Sequence, residues 1–98
     1  MKLANVLATL KEAEPLLRSH GVLHAAVFGS VARGEETADS DVDILLDFDP
    51  TLSKGVWAFV EAQRAVSDLF EVPIDVVERE ALRPNFRMRV EREQVHAF

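Results

Sequence analysis

The chain has 98 residues, 48% of them hydrophobic, and this length predicts one domain over residues 1–98 with a single small core. None of the residues is cysteine, which excludes disulfides and cysteine-ligated zinc. Its 17 acidic and 11 basic residues give a formal net charge of −6. Long nucleic acid is bound through basic groups that neutralise phosphates, so we expect no direct nucleic-acid binding and instead a protein that holds divalent metal or docks on a basic partner.

The N-terminal segment, residues 2–19, has apolar side chains at helical spacing. Pro15 interrupts that spacing, so we predict a helix that kinks or restarts there, and Gly21 is typical of a helix C-terminal stop. Polar residues recur every few positions, which excludes a signal peptide or a membrane span. We therefore expect a cytoplasmic protein.

Three short segments then have the composition of β-strands. Residues 24–28 form an apolar run between two glycines, and residues 41–48 alternate acidic with aliphatic side chains over most of their length. Residues 73–77 begin with a proline, which is tolerated at the start of a strand or on a sheet edge.

Two further helices complete the predicted elements. Ser53 suits the N-cap of a helix that runs to about residue 70, and the arginine-rich residues 80–93 are helical in character, with Pro84 near the first turn. The arginines in and directly before this segment are expected to face solvent, and an interface role is the alternative. They are Arg79, Arg83, Arg87, Arg89 and Arg92.

Helices that alternate with short strands indicate an α/β fold. We predict a small mixed β-sheet with helices packed on it. The terminal residues His96 and Phe98 are expected to be disordered.

Asp41 and Asp43 are the first candidate metal ligands. Residues two apart on a strand point to the same side, about 6–7 Å apart along the backbone. Carboxylates at that spacing can converge on one divalent cation or bridge two cations about 4 Å apart, and their mutual repulsion is costly unless a cation neutralises it. A hard-metal site is therefore predicted; the alternative is that both acids simply face solvent on a half-exposed strand.

The turn after the first strand has features that suit phosphate binding. Gly29 lets the backbone approach a ligand closely, while the Ser30 hydroxyl and the free amides of a helix start attract phosphate oxygens. Ser30 could equally cap the turn, a role compatible with phosphate binding. Arg33, one helical step on, could reach a phosphate or a carboxylate, and an ion-pair or loop-fixing role remains open.

Asp75 is the best candidate for a third carboxylate, because it interrupts a short apolar strand. If that strand lies beside the Asp41 strand, Asp75 could bind the metal and accept the proton of an attacking hydroxyl. The alternative is an exposed position on a sheet edge. Three carboxylates facing a phosphate-binding turn are the groups required for metal-assisted nucleotidyl transfer.

These motifs resemble those of the DNA polymerase beta-like nucleotidyltransferase superfamily, most closely its minimal nucleotidyltransferase (MNT) branch. The matching segments are residues 28–34 (FGSVARG), 40–44 (SDVDI) and 74–77 (IDVV). The resemblance implies a palm-like fold with two magnesium ions bound by Asp41, Asp43 and Asp75, the last also acting as general base. It further implies nucleotide contacts from the turn and from the start of the second strand, at Gly29, Ser30, Arg33 and Ser40.

The resemblance also implies a function. MNT proteins are similar to the antitoxin half of HEPN–MNT toxin–antitoxin pairs, whose active members transfer AMP from ATP to a tyrosine of the HEPN partner, a helical RNase. A first alternative is an antitoxin that acts by complex formation with little or no transfer. A second is transfer to a small molecule, which the lack of a second, pocket-forming domain opposes. A homodimer or a mixed assembly is compatible with so small a domain.

Overall fold

The computed structural model describes residues 1–52 and 55–98. Its elements in chain order are α1 (Leu3–Glu12), α2 (Glu14–Ser19), β1 (Val22–Phe28), α3 (Gly29–Arg33), β2 (Val42–Phe48), α4 (Val56–Ser67), β3 (Ile74–Glu78), a 3-10 turn (Arg79–Ala81), α5 (Pro84–Glu93) and β4 (Val95–His96). The N-cap predicted at Ser53 lies outside the described residues. Within them, no helix is both long and apolar enough to cross a membrane.

The N-terminal segment forms two helices, as the proline suggested. The chain leaves α1 at Ala13 and resumes in α2, with Pro15 in the first turn of the second helix. A first-turn N–H has no partner within its own helix, so proline costs little at that position. The predicted restart is confirmed, and the break lies two residues before the proline.

The four strands form one mixed sheet in the order β3-β2-β1-β4. β1 is antiparallel to β2 and to β4, whereas β2 is parallel to β3. The predicted mixed α/β architecture is confirmed. The parallel pair has a direct consequence for chemistry, because it sets two acid-bearing strands side by side in the same direction.

The C-terminal residues are ordered by this sheet, so the expectation of terminal disorder is wrong. His96 pairs with Ala26 across the β1–β4 ladder. One residue later, the Ala97 N–H donates to the Ala25 carbonyl at 2.8 Å. Tying a terminal segment into a sheet edge satisfies its backbone groups and removes its freedom to fray.

The sheet has two differently covered faces, because alternate residues of each strand point to opposite sides. The main-core face packs against α1, α2 and α4; its buried strand residues are Val22, Ala25, Val27, Val42, Ile44, Leu46 and Val76. On the opposite face, here called the α5 face, Ala26, Phe28 and Leu45 cluster with Val90 of α5. Since Leu45 follows Asp43 by two residues, helix α5 and Asp43 share one face of the sheet.

Helix α5 is fastened to that face by Arg79, whose predicted position on a solvent-facing helix is wrong. Residues 79–81 form a 3-10 turn and α5 begins only at Pro84. The Arg79 side chain is 12% exposed and donates two hydrogen bonds to Asp47, at 2.7 and 3.2 Å, and one to Glu91 of α5, at 2.8 Å. The bond to Asp47 is the main cause that raises the Arg79 pKa above its usual range. This network joins the strands to α5.

Candidate active site

The three predicted carboxylates come from adjacent parts of the sheet. Asp43 of β2 stands directly beside Asp75 of β3 in the parallel ladder, so both side chains leave the sheet on the same side. Asp41 lies two residues before Asp43, immediately ahead of β2. The sequence analysis required the strand of Asp75 to lie beside the strand predicted from residue 41; β3 and β2 are these two strands, and their pairing is confirmed. Asp75 is also exposed, because β3 is an edge strand.

These carboxylates are close but do not form a closed cage. Among residues 1–52 and 55–98, no three histidine, aspartate or glutamate side chains converge tightly enough to make a preformed metal site. Nor do Asp41, Asp43 and Asp75 form an ion pair with any described basic residue. Neighbouring negative charges without a cation repel each other. The donor set therefore fits a divalent cation that would draw the side chains together.

The pKa of Asp43 reflects its burial and the negative charges around it. It is raised above the ordinary aspartate value, first by burial and then by the charges of Asp75 and Asp41. Glu93 adds a further increase, which Arg33 only partly offsets. A carboxylate in such surroundings is costly to ionise in the folded protein unless positive charge is supplied.

The raised pKa leads to a prediction for the pH dependence of stability. An aspartate whose pKa is higher in the folded chain than in the unfolded chain lowers stability as pH rises through that interval, because the folded state binds more protons there. In the absence of divalent cations, Asp43→Asn should therefore be more stable than the wild type at neutral pH. That difference should vanish below the ordinary aspartate pKa of 3.8.

Urea unfolding in chelator, at steps from about pH 3 to about pH 8, measures this difference. Asp68→Asn, a substitution of the same kind at an exposed position just after α4, is the matched control and should change the stability less than Asp43→Asn does. An Asp43→Asn protein less stable than the wild type at neutral pH would contradict the electrostatic account.

Gly29 packs against the Asp43 carboxylate and begins α3. Its φ of +75° lies in the region that side-chain-bearing residues rarely adopt. A Cβ atom there would collide with the Asp43 carboxylate oxygen and would lie 3.1 Å from its Cγ. Both the backbone geometry and the contact with Asp43 therefore require glycine at this position.

Glu93, at the end of α5, holds this turn and was not found by sequence reasoning. Its carboxylate accepts from the Gly29 N–H at 2.9 Å and from Arg33 Nη1 at 3.0 Å. Arg33 Nε donates to Glu35 at 2.7 Å, and these bonds, that to Glu35 first, raise the Arg33 pKa above its usual value. Arg33 thus has the ion-pair role that the sequence left open. Glu93 is 64 residues from Gly29, so no local pattern could have indicated it.

The two serines occupy positions that shape the loops around the site. Ser30 is the second residue of α3, and its carbonyl accepts from the Glu35 N–H at 2.9 Å. The Ser40 hydroxyl accepts from the Thr37 N–H at 2.8 Å, which fixes the loop before β2. The nucleotide contacts of Gly29, Ser30, Arg33 and Ser40 stay predictions.

A cavity of about 360 Å³ opens between Asp43 and α5. Gly29 and Asp43 line it from the sheet side, and Phe86, Arg89 and Glu93 line it from the helix. Ligand pockets begin at roughly 300 Å³, so the space can admit part of a nucleotide. The motif glycine and the central carboxylate therefore open onto one cleft.

A carboxylate triad beside a glycine-bearing turn on a mixed sheet defines the nucleotidyltransferase class, and comparison with known proteins agrees. The chain belongs to the nucleotidyltransferase domain family, whose model matches residues 5–95. The predicted fold, family and enzyme class are confirmed: the protein is a nucleotidyltransferase.

Two archaeal relatives match most of the chain. The protein adenylyltransferase MntA of Thermococcus cleftensis is 38% identical over 90% of this chain and 95% of its own. A protein of Methanocaldococcus jannaschii, provisionally named a protein adenylyltransferase, is 31% identical over 90% of this chain and 97% of its own.

Solved structures share the fold. One described as a candidate minimal nucleotidyltransferase superposes with a TM-score of 0.80 at 34% identity, over 97% of this chain and 95% of that one. A chain of a toxin–antitoxin structure with AMP-PNP superposes with a TM-score of 0.70 at 21% identity, over 92% of this chain and 72% of that one. The second likeness concerns the fold alone.

Proposed function

We propose that this protein is an antitoxin that transfers AMP from ATP to a hydroxyl group of a partner toxin. The observation that carries the proposal is the register of Asp43 beside Asp75, with Asp41 two residues away and Gly29 packed against Asp43. The relatives named protein adenylyltransferases support a protein as the acceptor. The fold shared with a chain of a toxin–antitoxin complex is consistent with the antitoxin role.

Asp41, Asp43 and Asp75 would hold two magnesium ions. When bound, the ions neutralise the charge that develops on the phosphate oxygens and the leaving group. The fit rests on the donor set: hard carboxylate oxygens suit magnesium, and none of these acids has a described basic partner. Asparagine in place of Asp43 would keep the shape of the side chain but remove the negative charge of its carboxylate.

Asp75 would act as the general base. Its position on the edge strand leaves it exposed, so a hydroxyl carried by another protein can approach it. The acceptor oxygen forms a bond to the α-phosphorus of ATP, the bond from that phosphorus to the pyrophosphate oxygen breaks, and the hydroxyl proton passes to Asp75. The products are an AMP-modified side chain and pyrophosphate.

The partner in this proposal is a HEPN-family toxin, and the acceptor is a tyrosine, as the motif resemblance implies. Antitoxin action by complex formation alone is the competing possibility. Complex formation by itself would not require three neighbouring acids, one of which, Asp43, has a pKa raised first by burial and then by the charges of the other two. This electrostatic cost favours the catalytic role.

The test is to incubate the purified protein with the product of the neighbouring gene, as the candidate toxin, together with ATP and magnesium, and to weigh that product by intact-mass spectrometry. The expected result is one or more AMP adducts on a tyrosine, located by peptide fragmentation. An ATP analogue with a methylene group between the α- and β-phosphates is the control and should give none, because its leaving-group bond cannot break. A stable complex without adducts would overturn the transfer proposal and leave neutralisation by binding.

A further inference from the structure

The cleft beside the carboxylates contains two arginines with very different surroundings. Arg33, the expected phosphate ligand, is held by Glu35 and Glu93. Arg89 on α5 forms no ion pair with any described residue. In a chain of net charge −6, an arginine without a carboxylate partner beside an acidic site is available to bind an external anion.

Arg89 is nevertheless held in a defined place. Its guanidinium lies 5.2 Å from the centroid of the Phe86 ring, a cation–π distance. Phe86 in turn meets Phe28 edge to face, with ring centroids 6.4 Å apart. Phe28 is the strand residue paired with Asp43. A chain of aromatic contacts thus connects Arg89 to the strand position beside the central carboxylate.

The position of the cleft relative to Asp75 identifies which part of the nucleotide it would receive. Phe28 and Gly29 lie on one side of Asp43, along β1, and Asp75 lies on the other side, along β3. In phosphoryl transfer the attacking and leaving oxygens are roughly in line, on opposite sides of the phosphorus. If Asp75 serves the attacking hydroxyl, the leaving pyrophosphate lies on the side of the cleft that Arg89 lines.

We propose that Arg89, braced by Phe86, binds the β- and γ-phosphates of ATP, an inference that rests on the proposed function. The planar guanidinium can bind phosphate oxygens through two parallel hydrogen bonds. The cavity of about 360 Å³ that Arg89 shares with Gly29 and Asp43 has room for this part of the nucleotide. Arg33 then shapes the turn through Glu93, while Arg89 holds the leaving group.

Calorimetric titration of ATP and of AMP, each with magnesium, into Arg89→Met tests the assignment. ATP affinity should fall by roughly tenfold to a hundredfold, as expected for loss of a charge-assisted contact. AMP affinity should change by less than about twofold, because AMP lacks the β- and γ-phosphates. Arg89→Lys, which keeps the charge but not the planar fork, should recover part of the lost ATP affinity.

Arg92→Met is the matched control, since Arg92 is exposed on the same helix and has no described ion pair; its ATP affinity should equal that of the wild type. Unchanged ATP affinity in Arg89→Met would overturn the inference while leaving AMP transfer intact. Equal losses of ATP and AMP affinity would also overturn it, because Arg89 would then contact the nucleoside or the α-phosphate. A wild-type protein that binds no ATP would overturn both this inference and the proposed function.

Discussion

Asp43→Asn is expected to reduce AMP transfer by about a thousandfold or more, equivalent to about 4 kcal/mol of transition-state stabilisation. Asp43 stands between Asp75 and the turn that begins at Gly29, so it is placed to help hold the cation that would neutralise the reacting phosphate. Asparagine keeps the side-chain shape but removes the negative charge that would hold a cation. The measurement is the initial rate of adduct formation on the partner toxin, followed by intact-mass spectrometry.

The same substitution is expected to stabilise the protein without divalent cations, since it removes a carboxylate whose pKa is raised first by burial and then by the charges of Asp75 and Asp41. A variant that loses transfer activity but gains stability cannot be inactive because its fold is damaged, so the loss is then due to removal of a catalytic group. Asp68→Asn, directly after α4, which packs on the main-core face, should leave transfer unchanged. An Asp43→Asn protein that still transfers AMP at more than about a tenth of the wild-type rate would exclude a metal-binding role for this residue.

Leu45→Ala is expected to lower the free energy of unfolding by about 2–5 kcal/mol. Leu45 is fully buried on the α5 face, where it clusters with Phe28 and Val90, so truncation leaves a cavity between sheet and helix. Domains have total stabilities of only about 5–15 kcal/mol, which makes this a large fraction. Urea unfolding monitored by circular dichroism measures the loss.

Leu10→Ala is the matched control, because Leu10 is also fully buried but belongs to the main core on the opposite face. Its loss of stability should be similar. Only Leu45→Ala should also weaken ATP binding under conditions where both variants are folded, since α5 carries Arg89 and Glu93. Equal ATP affinities for the two variants would contradict a role of the packing beneath α5 in shaping the cleft.

The features that the sequence predicted well depend on short-range spacing. The alternation of acidic with aliphatic residues predicts a strand from residue 41 to residue 48, and β2 begins one residue later, at Val42, so that Asp43 lies in the strand and Asp41 directly before it. Pro15 interrupts a helix for an equally local reason. The motif resemblance extended these local signals to a fold and an enzyme class, both of which the family match confirms.

The arginine-rich C-terminal segment shows where sequence reasoning failed. Its spacing indicates one solvated helix face, yet Arg79 is nearly buried against Asp47, Arg89 lines the cleft, and the residues after the helix pair with β1. A charged side chain has the same local pattern whether it meets water, a carboxylate from a distant strand or a ligand. Its surroundings are set by which elements pack together.

The sequence by itself determined the acid pair, the glycine-bearing turn and the alternation of helices with strands, because each depends on residues a few positions apart. The tertiary structure alone decided that Asp75 stands beside Asp43, that Glu93 holds Gly29 and Arg33, and that Arg89 faces the cleft. These groups are separated by tens of residues along the chain. They meet because β2 pairs with β3 in parallel and α5 packs on the sheet. Both are long-range contacts, which depend on the burial of apolar surface over the whole domain.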